Sequence, residues 1–280
     1  MVTASDSPLL HHGSARSVLL TILGELVEPA GVVVWNASLL ALMTELGFEA
    51  RTARQAIDRA AEAGWIAGER IGRNVRWTLT SEGIRLISAG SRRVHATGTG
   101  EGDWNGRWLV LVVAVPSSVR TVRKRLYASL RWEGFGNPTP GLWLSPHPDR
   151  EPEAQTIIDG LNLQETTFAF AGPSTTVGLS DEAIVNLAWD LDGLAAQYRQ
   201  LLTEIDQPRP ADGTALLVAH ITAVNQWQRF PYIDPQLPER LLPEWIGRDV
   251  AGRFRERRDE WTVDAHAAWH QIVERTDPTG

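Results

Sequence analysis

Residues 49–79 read EARTARQAIDRAAEAGWIAGERIGRNVRWTL, and this stretch decides the fold of the N-terminal part of the chain. Small and apolar residues recur at helical spacing in its first half, which predicts a helix over 49–63 with a narrow buried face. The residues of that predicted face are Ala50, Ala53, Ile57, Ala60 and Gly64. Two strand-like runs follow, at 65–70 and 75–79, and the Ile-Gly-Arg-Asn between them suits a tight turn. The stretch therefore predicts a helix followed at once by a β-hairpin.

The segments around this stretch complete a small, mainly helical domain. Pro29 and Gly31 end a first predicted helix, and Asn36 is predicted to cap a second one that stops at Gly47. The predicted elements are a helix over 14–26, a strand over 32–35, a helix over 36–46 and, after the hairpin, a helix over 80–93. The order helix, strand, helix, helix, hairpin, helix is typical of a winged helix-turn-helix domain, which we place at residues 1–95.

The outer face of the predicted helix over 49–63 carries side chains that suit DNA. After Glu49 at its start, its first two turns offer hydrogen-bond donors and acceptors without a further acid, whereas Asp58 and Glu62 enter only in later turns. The alternative is an ordinary amphipathic helix with a solvated face, and the arginines of the following hairpin favour DNA instead. The predicted DNA-binding residues are Arg51, Thr52, Arg54, Gln55 and Arg59 in the helix, and Arg70, Arg73 and Arg76 in the hairpin.

The charge distribution is compatible with this interpretation. A net charge of −7 argues against a polyanionic partner, but residues 1–95 hold ten arginines against nine acids, so the deficit lies in the rest of the chain. The chain has no cysteine, which excludes disulfides, thiolate zinc sites and a cysteine nucleophile. Because its apolar runs are far shorter than a bilayer span, we expect a cytoplasmic protein.

The remainder of the chain predicts two further domains after a glycine-rich linker at 95–106. The first, at 104–178, alternates strands and helices and is predicted to be an α+β domain of ferredoxin-like type. Its predicted elements are strands over 108–115, 141–145 and 166–170 and helices over 119–132 and 153–160, of which 119–132 carries the basic residues Arg120, Arg123, Lys124 and Arg125. The second, at 179–280, is predicted to be helical over 180–205, 214–228 and 245–275, and a break near Trp261 is left open.

Several motifs resemble one known family, the PaaX-type repressors of phenylacetic acid degradation. In the N-terminal domain they are VWNASL at 34–39, LGF at 46–48 leading to Arg54, EAGWI at 62–66 and RIGR at 70–73. Further on they are WNGRW at 104–108, GFG at 134–136, GLWLSP at 141–146, WDL at 189–191, FPYIDP at 230–235, LP at 237–238 and LLP at 241–243. These motifs cover nearly the whole chain in the order of the family.

The resemblance implies a homodimeric repressor that binds double-stranded operator DNA, with a middle domain similar to the CRISPR-associated Cas2 proteins and a helical C-terminal domain. It also implies phenylacetyl-coenzyme A as the inducer, and a regulator of another pathway with a different ligand is an alternative. Such a ligand would need apolar side chains and arginines for its phosphates. The candidate ligand-binding residues are Arg131, Trp132, Trp143, Trp189, Trp227 and Arg229, with Arg253 as a further arginine. Purely structural roles for the same residues are the alternative.

A Cas2-like domain also raises the alternative of a metal-dependent nuclease. Such an enzyme would need an aspartate at the end of the first strand, and Val-Ala-Val-Pro at 113–116 has no acid there. His266 and His270 are one helical turn apart, near Glu260 and Asp264, but the zinc-protease pattern is absent. We therefore predict no catalytic residue, no metal and no cofactor.

Overall fold

The computed structural model describes residues 13–31, 33–96, 104–115, 119–175 and 177–278, and for 89–96 it describes the backbone alone. These residues form two compact units. The winged-helix unit contains the described residues up to 96, together with 201–229 and those from 251 onwards. The sheet unit contains the described residues from 104 to 200, together with 230–250. The three consecutive domains stay a prediction, and most of the predicted linker, 97–103, lies outside the described residues.

The N-terminal part of the winged-helix unit has the predicted order of elements. Its helices are α1 (Ala15–Ile22), which continues as a π-helical turn over Leu23–Val27, α2 (Asn36–Glu45), α3 (Ala50–Glu62) and α4 (Ser81–Ala96). Its strands are β1 (Val33–Trp35), β2 (Ile66–Ile71) and β3 (Asn74–Leu79), which form an antiparallel sheet in the order β1-β3-β2. The winged helix-turn-helix prediction is confirmed.

Two local details differ from the sequence-based expectation. Asn36 does not cap α2: the helix begins at Asn36 itself, and the side-chain Oδ1 of Asn36 accepts a hydrogen bond from Trp77 Nε1 at 3.1 Å. The hairpin is also tighter than predicted, because Ile71 and Asn74 pair with each other and leave a two-residue turn. Gly72 has φ of 60° there, a left-handed conformation that glycine adopts without strain.

Two helices from the C-terminal part of the chain complete the core of the winged-helix unit. They are α9 (Gly213–Trp227), capped by Asp212, and most of α11 (Ile246–Thr276). Their side chains that are buried in one cluster with α1, α2 and α3 are Leu217, Ile221, Ala265, Ala268, Trp269 and Ile272. The helix α11 is continuous for 31 residues, so the break considered near Trp261 is absent; the Trp261 side chain is buried.

The sheet unit contains the predicted ferredoxin-like arrangement. Its elements are β4 (Arg107–Val113), α5 (Arg120–Trp132), β5 (Gly136–Thr139), β6 (Leu142–Ser145), α6 (Glu151–Gly160) and β7 (Thr167–Pro173). The four strands form an antiparallel sheet in the order β5-β6-β4-β7, and the side chains of α5 and α6 pack on it in one core around Trp143. The strand β5 was not predicted, because its Gly-Asn-Pro-Thr sequence has the composition of a turn.

The predicted single helix over 180–205 is two helices, α7 (Asp181–Ala188) and α8 (Leu191–Ile205). Trp189 between them has an extended backbone, and the Asp190 side chain accepts a hydrogen bond from the Gly193 amide at 3.0 Å, which starts the second helix. The predicted start of α7 is confirmed, since Ser180 Oγ accepts a hydrogen bond from the Ala183 amide. A short helix, α10 (Phe230–Ile233), lies in the proline-rich segment before α11.

Candidate nucleic-acid interface

Small side chains form the buried face of α3. Ala53, Ala56, Ile57 and Ala60 are buried against the core. Two residues of the predicted buried face do not belong to it: Ala50 is the first residue of the helix and is exposed, and Gly64 lies past the end of the helix. The buried face therefore begins one turn later than predicted, and the first turn of α3 projects from the core.

The outer side of α3 is polar and open to solvent. The predicted DNA-binding residues of this helix, Arg51, Thr52, Arg54, Gln55 and Arg59, are all exposed. Within the described part of the chain, their side chains make no hydrogen bond or ion pair with another residue. The first turn of α3 has no acidic residue, and no side chain caps its free amides. These donors and acceptors are therefore available to a partner.

The three arginines of the β2–β3 hairpin differ in whether their side chains have an ion-pair partner. Arg70 and Arg73 are exposed, and no described residue pairs with either side chain. Arg76 instead forms an ion pair with Glu69, its direct neighbour across the hairpin, with 2.6 Å between Nη2 and Oε2. Of the three, Arg76 would have to give up an existing partner in order to bind a phosphate.

One contact that sequence reasoning missed fixes the hairpin against α2. Trp77 lies across from Gly68 in the β2–β3 ladder and donates its indole hydrogen bond to Asn36 at the start of α2. A Cβ atom on Gly68 would come within 2.7 Å of the Trp77 ring, so this position needs glycine. The Gly68 and Trp77 pair therefore sets the orientation of the wing relative to α2.

Sequence reasoning also missed an ionic cluster in the winged-helix unit, in which the His220 side chain is buried, that of Glu25 is 13% exposed and that of Arg258 is 32% exposed. Glu25, in the π-helical turn, accepts two hydrogen bonds from Arg258 of α11, at 3.1 Å from Nε and 3.0 Å from Nη2, and one from His220 Nε2 of α9 at 3.3 Å. Burial alone would raise the pKa of Glu25, but the hydrogen bonds from His220 and Arg258 outweigh it and lower the pKa from 4.5 to about 2. The cluster joins the first helix of the DNA-binding fold to two C-terminal helices.

The structure does not gather the candidate ligand-binding residues into one site within either unit. Arg131, Trp132, Trp143 and Trp189 belong to the sheet unit, whereas Trp227, Arg229 and Arg253 belong to the winged-helix unit. Trp143 is fully buried in the core of its unit. Trp227 is 2% exposed and stacks on Phe254 with ring centroids 4.8 Å apart, and Arg253 forms an ion pair with Asp206.

The other candidates of the sheet unit contact different neighbours. Trp189 donates a hydrogen bond to the Gly134 carbonyl at 3.2 Å, and Trp132 stacks on Tyr232 with ring centroids 4.2 Å apart. Arg131 is exposed on α5. Ligand binding by any of these residues stays a prediction.

The first strand of the ferredoxin-like domain has no carboxylate at its end, where a metal-dependent nuclease would need one. The strand β4 ends at Val113, and Ala114 and Val115 follow. In the described ranges, no group of three or more histidine, aspartate or glutamate side chains is placed to hold a metal ion. Within the same described residues, no helix has the length and apolar character needed to span a membrane.

The fold and the exposed side chains define a class, a winged helix-turn-helix protein with an added ferredoxin-like domain. Family models match almost the whole chain: that of the PaaX-like protein matches residues 14–83, that of the PaaX central Cas2-like domain matches 101–184, and that of the PaaX-like C-terminal domain matches 189–271. The chain therefore belongs to the PaaX family, which confirms the resemblance read from its motifs.

One curated relative agrees with this family, and one solved structure agrees with the fold. The chain is 28% identical over 253 residues to the transcriptional repressor PaaX of Escherichia coli (strain K12), an alignment that covers 84% of this chain and 76% of the relative. Among solved structures, an uncharacterized protein from Mycobacterium tuberculosis superposes with a TM-score of 0.63 at 20% identity, covering 91% of this chain and 98% of the other. At that identity the second match supports the fold alone.

Proposed function

We propose that this chain is a cytoplasmic transcriptional repressor of PaaX type that binds double-stranded DNA as a homodimer and catalyses no reaction. One observation carries the proposal: the first two turns of α3 expose polar and basic side chains without an acid, and Arg70 and Arg73 are exposed on the adjacent hairpin. The similarity to the repressor of Escherichia coli supports the same role.

The geometry of α3 suits direct reading of bases. Its narrow alanine face keeps the helix axis close to the core, while the long side chains of the opposite face extend outwards and can enter a major groove. The wing arginines would meet phosphates, which position the protein without reading sequence. Two copies would contact half-sites roughly 34 Å apart, or a multiple of that distance, along the DNA.

The first prediction separates these two roles. Thr52→Ala and Gln55→Ala should each weaken binding to the preferred sequence by roughly 1–3 kcal/mol and leave binding to random DNA nearly unchanged, because each removes a base contact. Arg73→Ala should weaken binding to both DNAs and flatten the salt dependence, because it removes a phosphate contact. The measurement is a fluorescence anisotropy titration at several salt concentrations, with the preferred sequence first selected from random DNA by the full-length protein.

Glu62→Gln provides the matched control for these variants, since Glu62 is exposed in the last turn of the same helix. It should bind the preferred sequence at least as well as the unmodified protein, because it loses a negative charge near DNA. If Thr52→Ala and Gln55→Ala weaken binding to selected and random DNA equally, as is expected for Arg73→Ala, the assignment of α3 as the reading helix is contradicted.

We further propose an aryl-acyl-coenzyme A as the effector, with phenylacetyl-coenzyme A as the first candidate and a different ligand from another pathway as the alternative. The physical requirement is that the ligand binds more tightly to the dimer geometry in which the two α3 helices no longer match the half-sites. Only such differential affinity can shift the equilibrium between bound and released DNA.

The second prediction tests the effector directly. Phenylacetyl-coenzyme A should release the full-length protein from its preferred DNA in a concentration-dependent manner, and it should change the intrinsic tryptophan fluorescence. Free phenylacetate should do less, because it lacks the phosphates that arginines can bind. If a series of acyl-coenzyme A thioesters changes neither fluorescence nor DNA binding, the effector is wrong, although DNA binding by α3 would be unaffected by that result.

A further inference from the structure

The outer side of α5 in the sheet unit is a concentrated patch of positive charge in a chain whose net charge is −7. Its basic residues are Arg120, Arg123, Lys124, Arg125 and Arg131, all exposed, and the helix contains no acidic residue. Among the described residues, no carboxylate forms an ion pair with any of them. One of these side chains has a hydrogen bond to the backbone: Arg123 Nη2 donates to the Val115 carbonyl oxygen at 3.2 Å.

Four of these five cations line an open groove of about 450 Å³. The groove follows from helical spacing, because two neighbouring ridges of α5 have residues four apart: Arg120, Lys124 and Ala128 on one, and Arg123, Tyr127 and Arg131 on the other. Ala128 has only a methyl side chain, which leaves space between the ridges. Arg125 is on the same helix but does not line the groove.

The groove has the composition of a site for a phosphorylated ligand. Like charges four residues apart, as at Arg120 and Lys124, repel each other, and a bound anion would relieve that repulsion. The ring of Tyr127 supplies an apolar surface; it contacts Trp143 of the core at a centroid distance of 4.7 Å, and the Arg131 guanidinium lies 5.9 Å from its centroid. The groove volume also falls in the range of roughly 300–1,000 Å³ that is usual for small-molecule sites.

We propose that this groove binds a nucleotide that carries several phosphate groups. Combined with the proposed function, on which this step rests, the ligand is the adenosine 3′-phosphate 5′-diphosphate part of the acyl-coenzyme A effector. Lys124, Arg120, Arg123 and Arg131 bind its phosphates, and Tyr127 contacts its adenosine. A DNA backbone lying along α5 is the competing occupant, and it would contact Arg125 as well as the groove residues.

The test compares charge-removing variants of one helix in the full-length protein. Lys124→Gln and Arg131→Gln should each raise the Kd for coenzyme A and for adenosine 3′,5′-bisphosphate roughly tenfold, because each removes a phosphate contact, and the double variant should bind neither. Arg125→Gln is the matched control and should change Kd less than about twofold. Calorimetric titration at one fixed, low salt concentration gives these constants.

Folding and DNA binding are measured on the same samples. The Tm of Lys124→Gln should be no lower than that of the unmodified protein, since the variant removes repulsion from α5, and its affinity for DNA without ligand should be unchanged. Three results would overturn the proposal: unchanged Kd values in the groove variants, an equal loss in Arg125→Gln, or DNA binding weakened by all three substitutions. The last result would assign the patch to DNA.

The same titrations distinguish this inference from the effector proposal. If phenylacetyl-coenzyme A binds and releases DNA equally well in the groove variants and the unmodified protein, the groove is not its site and the effector proposal stands. If adenosine 3′,5′-bisphosphate binds with the expected pattern of variants but the thioester does not release DNA, the nucleotide site stands and the effector is wrong.

Discussion

A chain truncated after Ala96 is expected to lose the cooperative fold of the winged helix, although it keeps every predicted DNA-binding residue. The core of the winged-helix unit includes side chains from α9 and α11, among them Leu217, Ile221 and Ile272. A buried leucine or isoleucine contributes about 1.5–3 kcal/mol, and the whole stability of a domain is about 5–15 kcal/mol. Removing these helices therefore removes a contribution as large as the stability itself and exposes the apolar faces of α1 and α2.

Circular dichroism during heating, and the dispersion of the amide signals in an NMR spectrum, would measure this loss. A sharp unfolding transition and a dispersed spectrum for the truncated chain would contradict the expectation and would show an independent N-terminal domain.

Single substitutions in the full-length chain test the same packing without truncation. Trp269→Ala should lower the free energy of unfolding by about 3–5 kcal/mol, because the side chain is buried in this core. Val263→Ala on the same helix is the control; Val263 is 75% exposed, and its replacement should cost less than about 0.5 kcal/mol. It should also leave DNA binding intact.

Replacing Glu25 is the second change that we expect to lower the stability of the fold strongly. Glu25→Ala should destabilise the winged-helix unit by about 3 kcal/mol, because it leaves the buried His220 and the partly exposed Arg258 without their shared carboxylate. Glu45→Ala, at an exposed position of α2, is the control and should cost well under 1 kcal/mol. Urea unfolding at pH 7 measures both differences.

The lowered pKa of Glu25 also gives this effect a pH dependence. Because the pKa is about 2 in the folded state and 4.5 without the fold, the carboxylate stabilises the folded state above pH 4.5, and that stabilisation is lost as the pH falls towards 2. Glu25→Gln removes the titrating carboxyl group. The difference in free energy of unfolding between this variant and the unmodified protein should therefore shrink by about 2 kcal/mol between pH 6 and pH 3. A difference that stays constant over this range would contradict the ionic interaction.

Several elements could be predicted because their signals are local. The helix α3, the hairpin and three strands of the ferredoxin-like sheet each follow from residue periodicity and turn composition within a few residues. The strand β5 could not be found in this way, since its turn-like residues are extended only because they pair with β6. The break between α7 and α8 was missed for a similar reason: Trp189 continues the helical pattern in sequence, but its indole bonds to Gly134 in the folded chain.

The sequence alone determined the order of the winged helix-turn-helix elements and the exposed polar face of α3, because both depend on the spacing of apolar residues along one element. Only the tertiary structure decided which partners neutralise Glu25, which tryptophans are buried, and that α9 and α11 complete the core beneath α3. Glu25 and Arg258 are separated by 233 residues in sequence. No local pattern encodes such a pair, since burial and hydrogen bonding between distant segments arise only when their apolar faces pack together.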